Sequence, residues 1–214
     1  MSSRAKAPPK RTAPKRRYDT TRRDRQAAAT RQEVLEAAVE LFRDSGWAGT
    51  TLAAIAERAG VAIETIYNGF GSKKGLLRAA CDVAVVGDTQ EVPLAERPEY
   101  QRMGEGSLEA RLHAAITLNT DVLERSALLW RAVVEAAVAD SEAAEWRDEF
   151  EAGRYVDTRR GLTLVFGAPP DPATADLLWA VLGPEVYLKL VHERGQTRAE
   201  YETLMVRAVR DLGS

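Results

Sequence analysis

With 214 residues, 45% of them apolar and 29% charged, the chain has the length of one large domain or two small ones and the composition of a soluble globular protein. No run approaches the ~18 apolar residues a membrane span requires. One cysteine (Cys81) excludes an internal disulfide, and two histidines beside it are too few for a structural zinc site. The expectation is a cytoplasmic protein with no membrane partner, no metal and no cofactor. The basic N-terminus is followed by no apolar stretch and does not read as a secretory signal.

The formal charge of −2 conceals a strong polarity. Residues 1–31 hold eleven Lys/Arg against Asp19 and Asp24, a charge of +9, whereas residues 32–80 carry −1 and residues 81–214 carry −10. A cationic front and an anionic back imply a polyanionic partner at one end only.

Residues 1–25 are rich in Lys, Arg, Pro and Thr with Tyr18 the one aromatic. They cannot offset their ordering entropy by burial and read as a disordered basic arm. Beyond them the apolar spacing is helical and no stretch alternates with period two, so the fold class is all-α, divided into residues 26–84 and 85–214. A first helix is expected from Ala27 or Thr30 to Asp44, with Val34, Leu35, Ala38, Leu41 and Phe42 on one face and Ser45-Gly46 as its stop. Thr51 then caps a short helix, Leu52 to Ala59, which Gly60 ends. A tight turn at Val61 leads into a third segment, Ile63 to Gly69, and Ser72 caps a fourth helix carrying Leu76, Leu77, Ala80 and Ala84.

Gly87 to Ser107, with two prolines and three glycines, reads as a long, partly ordered connector. Further helices are expected at Leu108–Arg125, Ala127–Asp140, Ser141–Phe166, Ala173–Arg194 and Thr197–Leu212. Ser126, Asp140-Ser141, Gly167-Ala168-Pro169-Pro170 and Gly195 punctuate them.

Two short helices joined by a glycine-containing turn have the layout of a helix-turn-helix, whose second helix enters the major groove of double-stranded DNA. Thr51 to Tyr67 fits it: Ala56 permits close approach, Gly60 supplies the turn, and Ile55, Val61 and Ile66 fill the wedge. The wider context is more specific. Thr30 to Phe42, Gly46-Trp47, Thr50-Thr51, Ile55-Ala56, Ala59-Gly60-Val61, Thr65-Ile66-Tyr67 and Phe70-Gly71-Ser72-Lys73 together resemble the N-terminal domain of TetR/AcrR-family transcriptional regulators, with matching spacing from Thr30 to Leu77. The remaining helices resemble that family's divergent ligand-binding and dimerisation domain in number and length only.

The resemblance implies roles residue by residue. Thr51, Tyr67 and Lys73 match positions that hold DNA phosphates, which set register without reading sequence. Ala62, Ile63, Glu64, Thr65 and Asn68 match the base-facing positions of the recognition helix. Asn68 is suited to adenine, Thr65 and Ile63 to a thymine methyl, and Glu64 to cytosine. Three positions depart from the family: Gly69 stands where a larger polar residue is usual, Gly75 where an acidic one is, and Ala53 where some relatives place Arg. The recognition helix has no Lys or Arg, so the basic arm is expected to supply cationic contacts, along phosphates or in an adjacent minor groove.

In the second domain, apolar stripes contain polar residues that need partners. Asn119 lies near the centre of the stripe from Leu108, and Asp157 and Arg160 fall within the stripe of Trp146, Phe150, Gly153, Gly161 and Leu164. Leu128 to Val138 is apolar nearly all round apart from Arg131 and Glu135. An apolar cavity with a few convergent polar groups is the usual form of a small-molecule site, and the candidate lining is Asn119, Trp130, Trp146, Asp157 and Arg160. The alternative is an i, i+3 ion pair of Asp157 with Arg160 beside core tryptophans.

Over Ala173–Arg194, Leu177, Val181, Pro184, Leu188 and Val191 oppose Trp179, Leu182, Val186 and Leu190. With the closing stripe Tyr201, Leu204, Met205, Ala208 and Leu212, this suggests a homodimer through the last two helices, an arrangement the resemblance also implies. The expected function is a homodimeric repressor on a roughly palindromic operator, released by a small-molecule effector. The competing reading is a weakly specific architectural DNA binder driven by the arm. The scattered histidines and cysteine form no convergent catalytic cluster, so an enzyme is not expected.

Overall fold

The computed structural model describes residues 18–88 and 92–213. Among these it is helical, with α1 (Tyr18–Gly49), α2 (Leu52–Ala59), α3 (Ile63–Phe70), α4 (Lys73–Val86), α5 (Pro98–Gln101), α6 (Leu108–Ala139), α7 (Ser141–Phe166), α8 (Pro172–Val181), α9 (Pro184–Tyr187) and α10 (Arg198–Leu212). The 3₁₀ turns Leu94–Glu96 and Arg102–Gly104 flank α5. The expected connector is thus a string of short helical turns.

The N-terminal punctuation behaves as the residues dictate. Thr51 and Ser72 accept from the backbone N–H groups of Ala54 and Gly75 at 3.1 Å each, capping α2 and α4. At Gly46 the backbone turns to φ 65°, ψ −170°, which kinks α1 into two pieces and is open essentially to glycine alone.

Three expectations are corrected. First, α1 begins at Tyr18, not at Ala27 or Thr30, so a boundary at residue 25 falls inside a helix. Apart from Asp24, residues 22–29 are Arg, Gln and Ala; these are good helix formers, and extending an existing helix avoids the nucleation penalty. The remainder of the arm, residues 1–17, lies outside the described residues.

Second, Ser126 does not divide the helix from Leu108; α6 runs unbroken to Ala139. The Ser126 hydroxyl donates to the Val122 carbonyl one turn back at 2.7 Å, so its polar group is satisfied within the helix.

Third, the helix expected over Ala173–Arg194 breaks at Leu182-Gly183-Pro184. Pro184 has no N–H, and its ring would strike the carbonyl four residues back. Instead the Gly183 N–H donates to Ala180 at 3.2 Å. The chain restarts as α9 and passes into a π-helical turn, Leu188–Glu193. A single wheel drawn through this break has no physical meaning.

On α10, Tyr201 and Met205 of the closing stripe are buried in the chain's own core, 0% and 3% exposed, Leu204 packs partly against it and Leu212 is 37% exposed.

Two apolar clusters organise the molecule. One joins Val34, Ala38 and Phe42 of α1, Ile55 of α2, Ile66 of α3 and Leu76, Leu77 and Ala80 of α4 to Leu129, Ala132, Val133 and Ala136 of α6. The other joins the front half of α6 (Leu112, Ile116, Leu123) to Leu162 and Val165 of α7, Leu178 of α8, and Tyr201 and Met205 of α10. Helix α6 therefore belongs to both the head (α1–α4) and the body.

The departure at Gly75 has a steric cause. A Cβ there would lie 2.1 Å from the Phe70 carbonyl oxygen, whereas one at Gly69 meets nothing within 4 Å. Gly75→Ala is therefore expected to destabilise the protein by about 1–3 kcal/mol, as overpacking does. Gly69→Ala should stabilise it by up to about 1 kcal/mol through helix propensity. Urea unfolding of the two variants beside the parent chain measures both.

Candidate nucleic-acid interface and internal cavity

Helix α3 is held by its buried side. Ile66 is fully buried between α1, α2 and α4, and Ile63 packs partly into the same cluster. That orientation leaves Glu64, Thr65 and Asn68 exposed in a row, with Ala62 exposed at the N-cap. Tyr67 is 51% exposed with its ring outward. The C-terminal end of α3 is pinned to α1 by Arg31, whose Nη1 donates to the Gly69 carbonyl at 3.3 Å and whose guanidinium lies 4.4 Å from the Phe70 ring centroid. Thr51 is exposed beside this surface while its hydroxyl caps α2.

Lys73 differs from the other expected contacts: it points into the protein. Its ammonium donates to the Trp47 carbonyl and lies 4.1 Å from the Trp47 ring centroid. Burial lowers its pKa, an effect opposed by the negative charge of Glu135. Glu135 of α6 accepts the Trp47 N–H at 2.8 Å. A Cβ at Gly46 would come within 2.7 Å of the Glu135 carboxylate, so the glycine also makes room for it. Trp47, stacked 6.1 Å from Phe42, is thus clasped from α4 and from α6. Next door, the Lys74 ammonium donates to Asp140 at 2.9 Å and to Glu142, joining α4 to the start of α7. At the far end of α4, Arg125 donates to the Ala84 and Val85 carbonyls at 2.8 and 3.1 Å.

The body encloses a cavity of about 330 Å³ between α4, α6, α7 and the α8–α9 break, within the size range of small-molecule sites. Asn119, Trp130 and Asp157 of the expected lining reach it; Trp146 and Arg160 do not. Trp146 packs edge-on against Phe150 at 6.3 Å in the head-side cluster, and Arg160 is 57% exposed, 3.8 Å from Asp157. The 100° wheel placed both near a stripe, but over the 26 residues of α7 that stripe faces different neighbours at each end. The Trp130 indole donates to Glu185 at 2.6 Å, and the Asn119 amide lies 3.5 Å from the Leu182 carbonyl.

Sequence reasoning missed Tyr100, Cys81 and Arg154, all on the cavity wall. Tyr100 lay in the connector and carried no periodic signal. Its hydroxyl donates to the Asp157 carbonyl at 2.8 Å, and burial pushes its pKa up to about 12. Burial likewise pushes the Cys81 thiol up, keeping it protonated. Arg154 follows Phe150 by four residues, the spacing of one helix face, which was the available signal. Among the described residues there is no group of three or more His, Cys, Asp or Glu placed to hold a metal, and no helix is long and apolar enough to cross a membrane.

Comparison with known proteins agrees with this geometry. The family model for bacterial regulatory proteins of the tetR family matches residues 34–80. A solved structure from Rhodococcus sp., assigned to the tetR-family transcriptional regulators, superposes with a TM-score of 0.66 at 19% identity, covering 87% of this chain and 100% of that one. One from Mesorhizobium loti, assigned likewise, gives 0.63 at 20% identity, with 87% and 96% covered. A tetR-family regulator from Streptomyces coelicolor gives 0.61 at 22% identity, with 86% and 80% covered. These identities speak to the fold alone. A search of curated proteins found no match.

The clasp at Trp47 generates a measurable expectation. Glu135→Ala removes the acceptor of the Trp47 N–H and should cost about 1 kcal/mol or somewhat more, as for a hydrogen bond to a charged group. Glu135→Gln keeps an acceptor and should cost less than half as much. Denaturant titration of the two variants gives the comparison.

Proposed function

We propose that the chain, whose residues 34–80 match the family model for bacterial regulatory proteins of the tetR family, is a DNA-binding transcriptional regulator, and that it acts as a homodimeric repressor released from a roughly palindromic operator by a small molecule. The observation that carries the reading is the outward row Glu64, Thr65 and Asn68 on a helix whose opposite side is locked by the fully buried Ile66. Those side chains read base edges, with Ala62 and Ile63 at the start of the helix. Thr51, Tyr67 and Lys73 anchor phosphates. Lys73 must exchange the Trp47 carbonyl for a phosphate, so docking on DNA loosens the clasp with Glu135.

Release follows from shared elements. Cys81 and Val85 of α4, and Trp130 of α6, line the cavity, while other residues of the same two helices build the head core. A ligand that binds better when α4 and α6 are displaced shifts the heads away from the separation that DNA requires.

For the dimer, the supporting feature is the outer face of α7 and α8. Val156 and Leu177 are 55% and 46% exposed there, beside exposed Ala152, Ala173 and Ala180. Two-fold pairing of that face sets two recognition helices on successive major grooves. Leu177→Glu combined with Val156→Glu is expected to yield monomers by light scattering and to abolish tight operator binding. A wild-type monomer at micromolar concentration would refute the dimer.

The experiment for the main reading is selection of bound genomic fragments followed by anisotropy titrations at several salt concentrations. Asn68→Ala should relax preference at one base position by about 1–3 kcal/mol. Lys73→Ala should weaken binding to all sequences alike and lower the salt slope by about 1. The +9 charge of residues 1–31 favours a second reading, an architectural binder. Random competitor DNA that displaces the protein as readily as the selected fragments would establish that reading in place of the first.

A further inference from the structure

We propose that the effector cavity selects an apolar amine over an anion of the same skeleton; this rests on the cavity being the ligand site. Charge on the wall is unevenly committed. Arg154 and Asp157 are the charged residues that line it, and they are in opposite situations. The Arg154 guanidinium is committed within the protein. Nε and Nη2 donate to Glu151, the latter at 2.7 Å; Nη1 donates to the Trp179 carbonyl at 2.9 Å; and its plane lies 4.7 Å from the Trp179 ring centroid. With its charge balanced and three of its nitrogens engaged, it has little to offer an incoming carboxylate.

Asp157 is open. The cation nearest its carboxylate is Arg160 at 3.8 Å, on a pair more than half exposed, and such a pair contributes little. The neutral groups lean the same way. The Tyr100 hydroxyl gives its hydrogen to the Asp157 carbonyl, Ser126 to Val122, and the Trp130 indole to Glu185. Tyr100 and Ser126 therefore turn lone pairs, not hydrogens, toward a ligand. The donors of Arg154, Tyr100, Ser126 and Trp130 are engaged, and the Asn119 amide lies 3.5 Å from the Leu182 carbonyl. The one loosely paired charge on the wall is thus a carboxylate, which suits a ligand that brings its own hydrogens and a positive charge.

The geometry sets a length. Phe150 and Asp157 line the cavity from the same helix, seven residues apart, about 10 Å along the axis at 1.5 Å per residue. Phe150 lies 5.5 Å from Trp130, centroid to centroid, forming an aromatic end opposite the carboxylate. A molecule with an aryl or branched apolar body and an ammonium about 10 Å away spans the two.

The test uses the full chain and three probes with one skeleton: 4-phenylbutylamine, 4-phenylbutanol and 4-phenylbutanoate. Isothermal titration calorimetry at neutral pH should rank the amine first, at least tenfold tighter than the carboxylate. Asp157→Asn should bring the amine's affinity down to that of the alcohol. Because Asp157 is more than half exposed, the substitution does not threaten the core, and a thermal melt checks this. A carboxylate that binds as well as the amine, or an amine preference that survives Asp157→Asn, overturns the inference and leaves the cavity reading standing. If none of the three binds the folded protein, the cavity reading fails and this inference with it.

Discussion

The C-terminal half of α6 is inserted into the core of the DNA-binding head, and the rest of the structure depends on that burial. Leu129, Ala132, Val133 and Ala136 fill the same apolar cluster as Val34, Phe42, Ile55 and Leu76. A head made only of four helices, three of them fourteen residues or shorter, has little interior of its own, since small units bury a small share of their surface. Helix α6 completes it. The head cannot then change its tilt without disturbing a helix whose other half walls the cavity, because close-packed interiors transmit displacement and do not absorb it.

The polar contacts along this junction refine what apolar packing leaves loose. Trp47 is held by Glu135 from α6 and by Lys73 from α4, and Arg125 and Lys74 tie the two ends of α4 to the body. Burial of apolar surface has no direction, but a hydrogen bond does. These few bonds therefore set the angle of the head while the hydrophobic cluster supplies most of the adhesion. The residue suited to a phosphate, Lys73, is itself one of the bonds that set the angle. If Lys73 takes a phosphate as proposed, nucleic-acid contact and head orientation are properties of one side chain.

Charge is divided along the molecule in the same functional sense. An anionic body repels a polyanion while a cationic N-terminal segment attracts it, so the proposed DNA partner would be met in one orientation. The recognition helix carries no cation of its own. In the proposed complex its discrimination comes from hydrogen bonding and shape, with the long-range attraction supplied elsewhere. Inside the body the sign of the local charge is decided by pairing: a partly buried arginine closed by a carboxylate and a backbone carbonyl counts for less than a loosely paired, exposed aspartate at the rim.

The local elements of the head were legible from residues because their causes are local. Thr51 and Ser72 cap helices through bonds within three residues, Gly60 ends one, and the spacing of Leu52, Ile55 and Ala56 names the inner face of α2. The outward positions on α3 were implied by the family resemblance, and the burial of Ile66 on the opposite side agrees with them. Residues alone thus determined the all-α class and the layout of the helix-turn-helix, and the resemblance they carry added the face it presents. What they left undecided depends on partners distant in the chain. Ser126 reads as punctuation until its hydroxyl is seen to bond within an unbroken helix, and Arg160 reads as a cavity residue until the neighbours of α7 are known. Lys73 reads as a free cation until Trp47, 26 positions earlier, claims it. A side chain's propensity and period depend on its neighbours in sequence, but whether a polar group is free to act depends on which atoms surround it, and only the tertiary structure brings those together.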